Sequence, residues 1–342
     1  MNSGMIFILK EQSGRIFRKM MDFSRYFSYN SDMDKYDVIC IGTALLDSIL
    51  RGFDPDPVSV SGYKAESGSL NIGGEAVNES VTLAKLGVKT GLLCYLGEDD
   101  AGELIEKKLS EAGVDTGLII REKEHPTPIT TMFVREDGGR MSVTNRAHKY
   151  NFHPEARGFD LLDSKALILG SLFRAPFDDP QVIHSVVTAA KAKGMTVFAD
   201  TKIPNFHPLR LEDIADSLPF IDCITPNEDE GQYYTGKDQP EEMADVFLDY
   251  GISDVIIKLG DKGCFFRNRE RSIRLDAHKI RSVDSTGAGD NFIAGYVSEL
   301  LRGSTVEEAL AFANACGAVC STAVGACTAI KNREQILEFL KK

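Results

Sequence analysis

The chain has 342 residues, 43 % of them hydrophobic and 26 % charged, an ordinary globular composition long enough for one large α/β domain or two average ones. Lys plus Arg number 39 against 51 Asp plus Glu, a formal net charge of −12. A broad phosphate footprint needs net positive surface, so this balance argues against a non-specific nucleic-acid or anionic-membrane binder while leaving room for a local positive pocket. No run approaches the roughly 18 apolar residues of a membrane span. The seven cysteines (Cys40, Cys94, Cys223, Cys264, Cys316, Cys320, Cys327) are an odd number, mostly in apolar runs and without a CxxC pair. Buried free thiols of a reducing, cytoplasmic compartment fit that pattern.

Residues 1–34 mix basic and aromatic side chains without periodicity, and the apolar run 5–9 is too short for a signal-peptide core. They read as a poorly ordered extension or the product of an early start codon before Met33; a targeting arm is the other reading. The remainder, 35–342, reads as one domain. Apolar, β-branched runs at 36–42, 91–96, 166–170, 195–199, 221–225 and 255–259 predict buried strands. Helix-period segments at 75–86, 101–112, 180–193, 240–250, 288–302 and 305–323 separate most of them. That alternation predicts a mainly parallel sheet covered on both faces, with ligands at the carboxyl ends of the strands.

Two stretches interrupt the alternation. Residues 55–71 and 122–147 read as β-ribbons, the second turning at Glu136-Asp137-Gly138-Gly139. Together they predict a small β lid over a cleft, with long surface hairpins as the plainer alternative.

Common nucleotide fingerprints are absent. Gly42-Thr43-Ala44-Leu45 stands where a GxGxxG would follow the first strand, which disfavours a dinucleotide enzyme. Gly231 to Lys237 spells GxxxxGK, but Asp238 follows where Ser or Thr should hold magnesium, so Gly236 reads as a helix C-cap. No histidine pair has zinc spacing.

The informative segment runs from Val283 to Phe292 and leads into a helix: Asp284-Ser285-Thr286-Gly287-Ala288-Gly289-Asp290. Small residues at a helix start let backbone N–H groups approach an anion, aided by the helix dipole. Asp290 would repel a bound phosphate, so a purely binding role is uneconomical. It suits a general base that accepts a proton from an attacking hydroxyl while the amides neutralise the transferring phosphoryl group. An ordinary capped helix start, with Asp290 complementing the dipole, fits the same residues.

A second glycine-rich element, Gly73-Gly74-Glu75-Ala76-Val77-Asn78, lies two hundred residues upstream. With both elements in this order, the chain from Tyr36 onward resembles the ribokinase-like (PfkB) carbohydrate kinase family. The resemblance implies a three-layer α/β/α core with a mainly parallel sheet and a small β-sheet lid. It implies an ATP-dependent kinase that phosphorylates a hydroxyl, primary by expectation, of a sugar or sugar acid. Asp290 matches the catalytic base, and Gly287, Ala288 and Gly289 the anion hole. Asp47, Gly73, Gly74 and Asn78 match the sugar-binding residues. Asn227 and Glu230 match an NxxE element, Glu230 holding Mg2+ through water; a plain helix N-cap fits the same cluster. Lys258, Gly260 and Gly263 match the nucleotide-side loop and Asn314 the adenine contact. Asp284 and Thr286, with the turn near Gly325, match a monovalent-cation site such as one for K+. A homodimer through the lid is a further implication.

Departures from the family's pattern leave the acceptor open. Glu75 and Glu79 place two carboxylates around Asn78, and Asp200-Thr201-Lys202 replaces an Asp-x-Asn. Lys202 reads as a solvated loop lysine or as a contact for an acidic group. Arg135, Arg140 and Arg146 read as solvated edge charges or as contacts for an acidic acceptor. A nucleoside kinase of the same fold is the nearest alternative, with Tyr63 and Phe173 as the aromatic candidates. A non-catalytic sugar or nucleotide binder is the other.

Overall fold

The computed structural model describes Tyr26 and residues 35–52, 64–135, 140–145, 163–204 and 208–341. Across its eight-stranded sheet the order is Ser272–Leu275, Cys264–Asn268, Asp254–Lys258, Cys223–Thr225, Thr196–Thr201, Ser164–Leu172, Tyr36–Ile41, Thr90–Leu93. Neighbours from Asp254–Lys258 to Thr90–Leu93 are all parallel, whereas Cys264–Asn268 and Ser272–Leu275 form an antiparallel edge.

Side chains alternate between two buried faces, as a strand's period of two dictates. Ile39, Ile41, Leu167, Leu169, Val255 and Ile257 point to one side, and Val38, Cys40, Ala166, Ile168, Phe198 and Ile256 to the other. Helices Pro180–Ala192 and Pro240–Asp249 cover the first face. Helices Glu75–Lys85, Asp100–Glu111, Ala288–Leu301 and Val306–Cys320 cover the second. This is the three-layer arrangement expected. Gly236 ends helix Glu228–Thr235 in the left-handed region at φ 67, so the GxxxxGK stretch is a capped helix.

The strand expected over 91–96 divides in two. Its first part, Thr90–Leu93, pairs with Tyr36–Ile41, whose last paired residue is Ile41 opposite Leu93. Beyond that point the neighbour ends, and Tyr95–Gly97 pairs with Ile120–Glu122 instead.

A second, four-stranded sheet runs Ser67–Gly73, Leu45–Arg51, Ile129–Val134, Arg140–Thr144. Leu45–Arg51 is a lid strand the sequence did not announce. Its apolar residues Leu45, Leu46, Ile49 and Leu50 follow a helical rather than an alternating spacing. The expected ribbon at 55–71 is described only in its later part, and 55–63, 136–139 and 146–147 lie outside the described residues. Register puts Leu70, Ile129, Phe133, Met141 and Val143 on one lid face and Asp47, Asn71 and Thr130 on the other. Tyr26 is the described residue of the first 34, and it is buried: it stacks on Phe198 at 5.8 Å, and its hydroxyl donates to Asp254 Oδ2 at 2.5 Å.

Candidate active site

The carboxyl ends of the parallel strands gather at one end of the sheet, and two helix starts close over them. Helix Glu75–Lys85 can begin there only because Gly74 takes φ 103; a Cβ on it would lie 2.1 Å from Thr43 O. Gly170 below permits direct contact, since a Cβ there would be 2.8 Å from Ala76 N. The helix start thus rests on the strand ends and turns Asn78 toward the second helix. Asn78 Nδ2 donates to Asp290 Oδ2 at 2.7 Å, and Cys327 Sγ donates to Asn78 Oδ1 at 3.2 Å.

Helix Ala288–Leu301 opens from Gly287 at φ 79. Asn291, fully buried, fixes this turn: its Nδ2 donates to Gly287 O at 2.7 Å and to Ala326 O at 2.8 Å, while its Oδ1 accepts from Thr82 Oγ1 at 2.7 Å. Of the three amides expected as an anion hole, that of Ala288 donates to Ser285 O at 3.1 Å. The N–H groups of Gly287, Gly289 and Asp290 have no acceptor among the described residues. They are the donors left for an anion.

Asp290 is 4 % exposed. Burial raises its carboxyl and Lys202 lowers it; Glu75 and Asp200 raise it, and the Asn78 bond lowers it, leaving it at about 6. A carboxylate titrating there can take a proton near neutral pH.

Around Asp290 lies a compact set of charges. Asp200, fully buried, accepts from Lys258 Nζ at 2.5 Å and from Thr225 Oγ1 at 2.9 Å. A Cβ on Gly289 would stand 3.0 Å from Lys258 Nζ, which places that ammonium against the amide cradle. Glu230 Oε2 accepts from Thr201 Oγ1 and from Asn227 N, both at 2.9 Å, and Glu230 N donates to Asn227 Oδ1 at 2.9 Å. The NxxE residues therefore form a capping box, and Glu230 also reaches across to the strand end. Lys202 is half-buried rather than free in solvent: its side chain is 26 % exposed and its Nζ lies 3.8 Å from Glu75 Oε1. Glu79 is fully buried with neither carboxyl oxygen hydrogen-bonded to a described residue. Burial first, then Asp200, Asp290 and Glu75, push its carboxyl well above the ordinary range.

Asp47 reaches this end from the lid, on the strand face opposite the exposed apolar one. Burial and Glu75 raise it to about 6. A Cβ on neighbouring Gly73 would lie 2.3 Å from Asp47 Oδ2. Gly260 and Gly263 shape the turn of the hairpin after Lys258; a Cβ on Gly263 would meet Leu275 O at 1.9 Å. Asn314 is buried, its Nδ2 donating to Asp276 O at 3.4 Å. Asp284 Oδ1 accepts from Thr286 Oγ1 at 2.7 Å and its Oδ2 from Gly325 N at 3.1 Å, joining the three segments named for a cation loop. Phe173 corrects an expectation: it is fully buried and stacked on Tyr234 at 4.1 Å, so it cannot wall an acceptor base. Tyr63 and Arg146 lie outside the described residues.

Sequence reasoning passed over Asn291, which reads as an ordinary helix residue, and the Asp200–Lys258 pair. The signal for the pair was present: Lys258 ends its strand and Asp200 is the last residue but one of a strand two places away in the sheet.

A parallel sheet under a β lid, with free helix-start amides beside a buried carboxylate, defines a phosphotransferase of ribokinase-like architecture. Residues 35–333 match the model of the pfkB family of carbohydrate kinases, and the chain belongs to that family. It is 28 % identical over 276 residues to a ribokinase of Haemophilus influenzae, covering 79 % of this chain and 87 % of that protein. It is 27 % identical over 310 residues to an ATP-dependent 6-phosphofructokinase of Thermoanaerobacterium thermosaccharolyticum, covering 83 % and 88 %. The structure of Arabidopsis thaliana ribokinase complexed with ribose and ATP superposes with a TM-score of 0.77 at 24 % identity, covering 90 % of this chain and 99 % of that one. The protein is a sugar kinase of this family.

Proposed function

We propose that the protein transfers the γ-phosphoryl group of ATP to a primary hydroxyl of a sugar or sugar acid, with Asp290 as general base. The observation that carries this reading is the meeting of Asn78, Asp290 and the free N–H groups of Gly287, Gly289 and Asp290 at one point. The acceptor lies between Asp47 on the lid and Asn78 on the core, with its reacting hydroxyl at Asp290. As the oxygen attacks phosphorus, its proton passes to the Asp290 carboxylate. The helix-start amides meet the charge on the phosphoryl oxygens. Closure of the lid excludes water, which would otherwise compete as acceptor.

A hydrated Mg2+ fits the donor chemistry. The described residues offer no cluster of three metal-ligating side chains, whereas Mg2+ keeps waters and takes most of its remaining contacts from nucleotide phosphates. Glu230 and Asn227 would hold it through water, and it would supply charge neutralisation between the phosphates. Asp284, Thr286 and the Gly325 turn would hold a K+ ion with oxygen ligands. The nucleotide lies along Lys258, Gly260, Gly263 and Asn314. The lid's open face, with Leu70 50 %, Met141 48 % and Val143 59 % exposed, supports a homodimer through the lid.

A coupled ADP-release screen with ATP and magnesium tests the reaction, over ribose, fructose, 2-keto-3-deoxygluconate, inositols, nucleosides and phosphosugars. Asp290→Asn protein serves as the blank. Turnover on one compound, absent in the blank, supports the reading; a nucleoside as that compound would replace the acceptor class. Silence across the panel with ATP bound would mean an acceptor outside the panel or a binding protein on this fold.

A further inference from the structure

Three successive residues at the end of strand Thr196–Thr201 face the reaction centre. Asp200 holds Lys258, Thr201 holds Glu230, and Lys202 approaches Glu75. A register shift between Ala199 and Thr201 accompanies this, as irregular strand ends beside active sites re-aim side chains. The two lysines differ. Lys258 Nζ is engaged by Asp200 at 2.5 Å. Lys202 Nζ makes no hydrogen bond to a described residue, and its one ion pair, with Glu75, is at 3.8 Å.

The backbone of Lys202 is nevertheless pinned on both sides. Its N–H donates to Leu172 O at 3.0 Å, and its carbonyl accepts from Tyr234 Oη at 2.6 Å. Its side chain is held at the cleft with three N–H donors unspent, an arrangement suited to receiving an anion. Carboxylates surround it. Burial lowers the affinity of its ammonium for the proton, but Asp290, Asp200, Glu75 and Glu230 together raise it above the ordinary value, so Lys202 stays charged. It is also the cation that acts most strongly on Asp290, whose carboxyl it lowers, and it stands at the strand end that carries Asp200 and Thr201.

We propose that Lys202 is a catalytic residue whose ammonium leaves Glu75 and grips the oxygens of the transferring phosphoryl group opposite the helix-start amides. This rests on the function proposed above. In the step it serves, the bond from the acceptor oxygen to γ-phosphorus forms as the bond from γ-phosphorus to the bridging oxygen breaks. The electron pair leaves on ADP and the acceptor proton goes to Asp290. Lys202 contributes no atom and loses no proton. It balances the phosphoryl charge that the carboxylate-rich site would otherwise repel.

Calorimetric titration of wild type, Lys202→Met, Lys202→Arg and Glu75→Gln with ATP and with ADP tests this, with magnesium present and folding checked by thermal melts. The expected result is that Lys202→Met loses about tenfold of the preference for ATP over ADP while ADP affinity holds within about twofold. On an identified acceptor its kcat falls on the order of 100-fold with acceptor KM within about threefold, and Lys202→Arg recovers part of the loss. Glu75→Gln frees the ammonium and raises the ATP preference; it carries the test if Lys202→Met does not fold. An unchanged ATP:ADP ratio in the folded variants overturns the proposal. So does a loss confined to acceptor KM, which would make Lys202 an acceptor contact. Wild-type protein that binds neither nucleotide would overturn the proposed function itself. Wild type that phosphorylates a sugar beside an unimpaired Lys202→Met overturns only the role of Lys202.

Discussion

Asn78 donates to the Asp290 carboxylate over 2.7 Å although 212 residues separate them in the chain. Helices Glu75–Lys85 and Ala288–Leu301 are therefore joined at their starts, and the Thr82–Asn291 bond joins them again beside that point. The bond has a chemical effect as well, since it favours the ionised form of Asp290.

The rate should follow the ionisation of Asp290. Its carboxyl sits at about 6, so kcat/KM should rise with pH through an apparent pKa near that value. Asn78→Ala removes a donor to the carboxylate and should move this limb to higher pH. A pH–rate profile of the two proteins checks the shift, and a limb displaced downward would contradict it.

Asp290→Asn should abolish transfer and stabilise the fold. The folded carboxyl titrates at about 6 against an ordinary 3.8, so the folded state binds more protons between those values. Stability thus falls as pH rises through this window, and the full cost, on the order of 3 kcal/mol, is present above it. Thermal melts should show the Asp290→Asn protein gaining on wild type at pH 8 and not at pH 4, with turnover down by about 1000-fold or more.

Glu79 is raised by burial in the same sense, with no hydrogen-bond partner among the described residues to offset it. Glu79→Gln should therefore leave stability unchanged or higher at pH 8, whereas Glu79→Ala opens a cavity and costs about 1–3 kcal/mol. Urea unfolding of both variants separates the two effects.

Lys258→Met leaves buried Asp200 without its counter-charge, and should cost about 3–5 kcal/mol. Adding Asp200→Asn should restore a large part of that stability. A double-mutant cycle by chemical denaturation measures the coupling, and strictly additive losses would argue against the pair.

Gly289→Ala should fold, because a helix start accommodates alanine. Its Cβ would stand 3.0 Å from Lys258 Nζ and crowd the cradle. The expected loss is about 10- to 100-fold in kcat with a smaller change in thermal midpoint, read by steady-state kinetics.

The parallel core was legible because buried strands carry continuous apolar runs, as Ile168 and Val255 show within theirs. The two helix starts were legible because Gly74 and Gly287 take positive φ where no other residue fits. Leu45–Arg51 was not, since its burial comes from two partners distant in sequence rather than from its own spacing. The two readings of Lys202, solvated or a contact for an acidic group, stayed undecided for a related reason. Its environment is assembled from Glu75, Asp200, Glu230 and Asp290, on separate elements, and no local pattern reports that convergence.

The lid leaves the core in two excursions, Leu45–Gly73 and Ile129–Thr144, and both insert between core strands without carrying any of the helix-start amides or the carboxylate beside them. Under the proposed function, the part that meets the acceptor from above is in this sense a cassette. Exchanging both excursions for those of a relative should transplant acceptor preference while the catalytic half is kept, and it gives diversification within this architecture a physical route: the cassette can drift while the engine stays fixed.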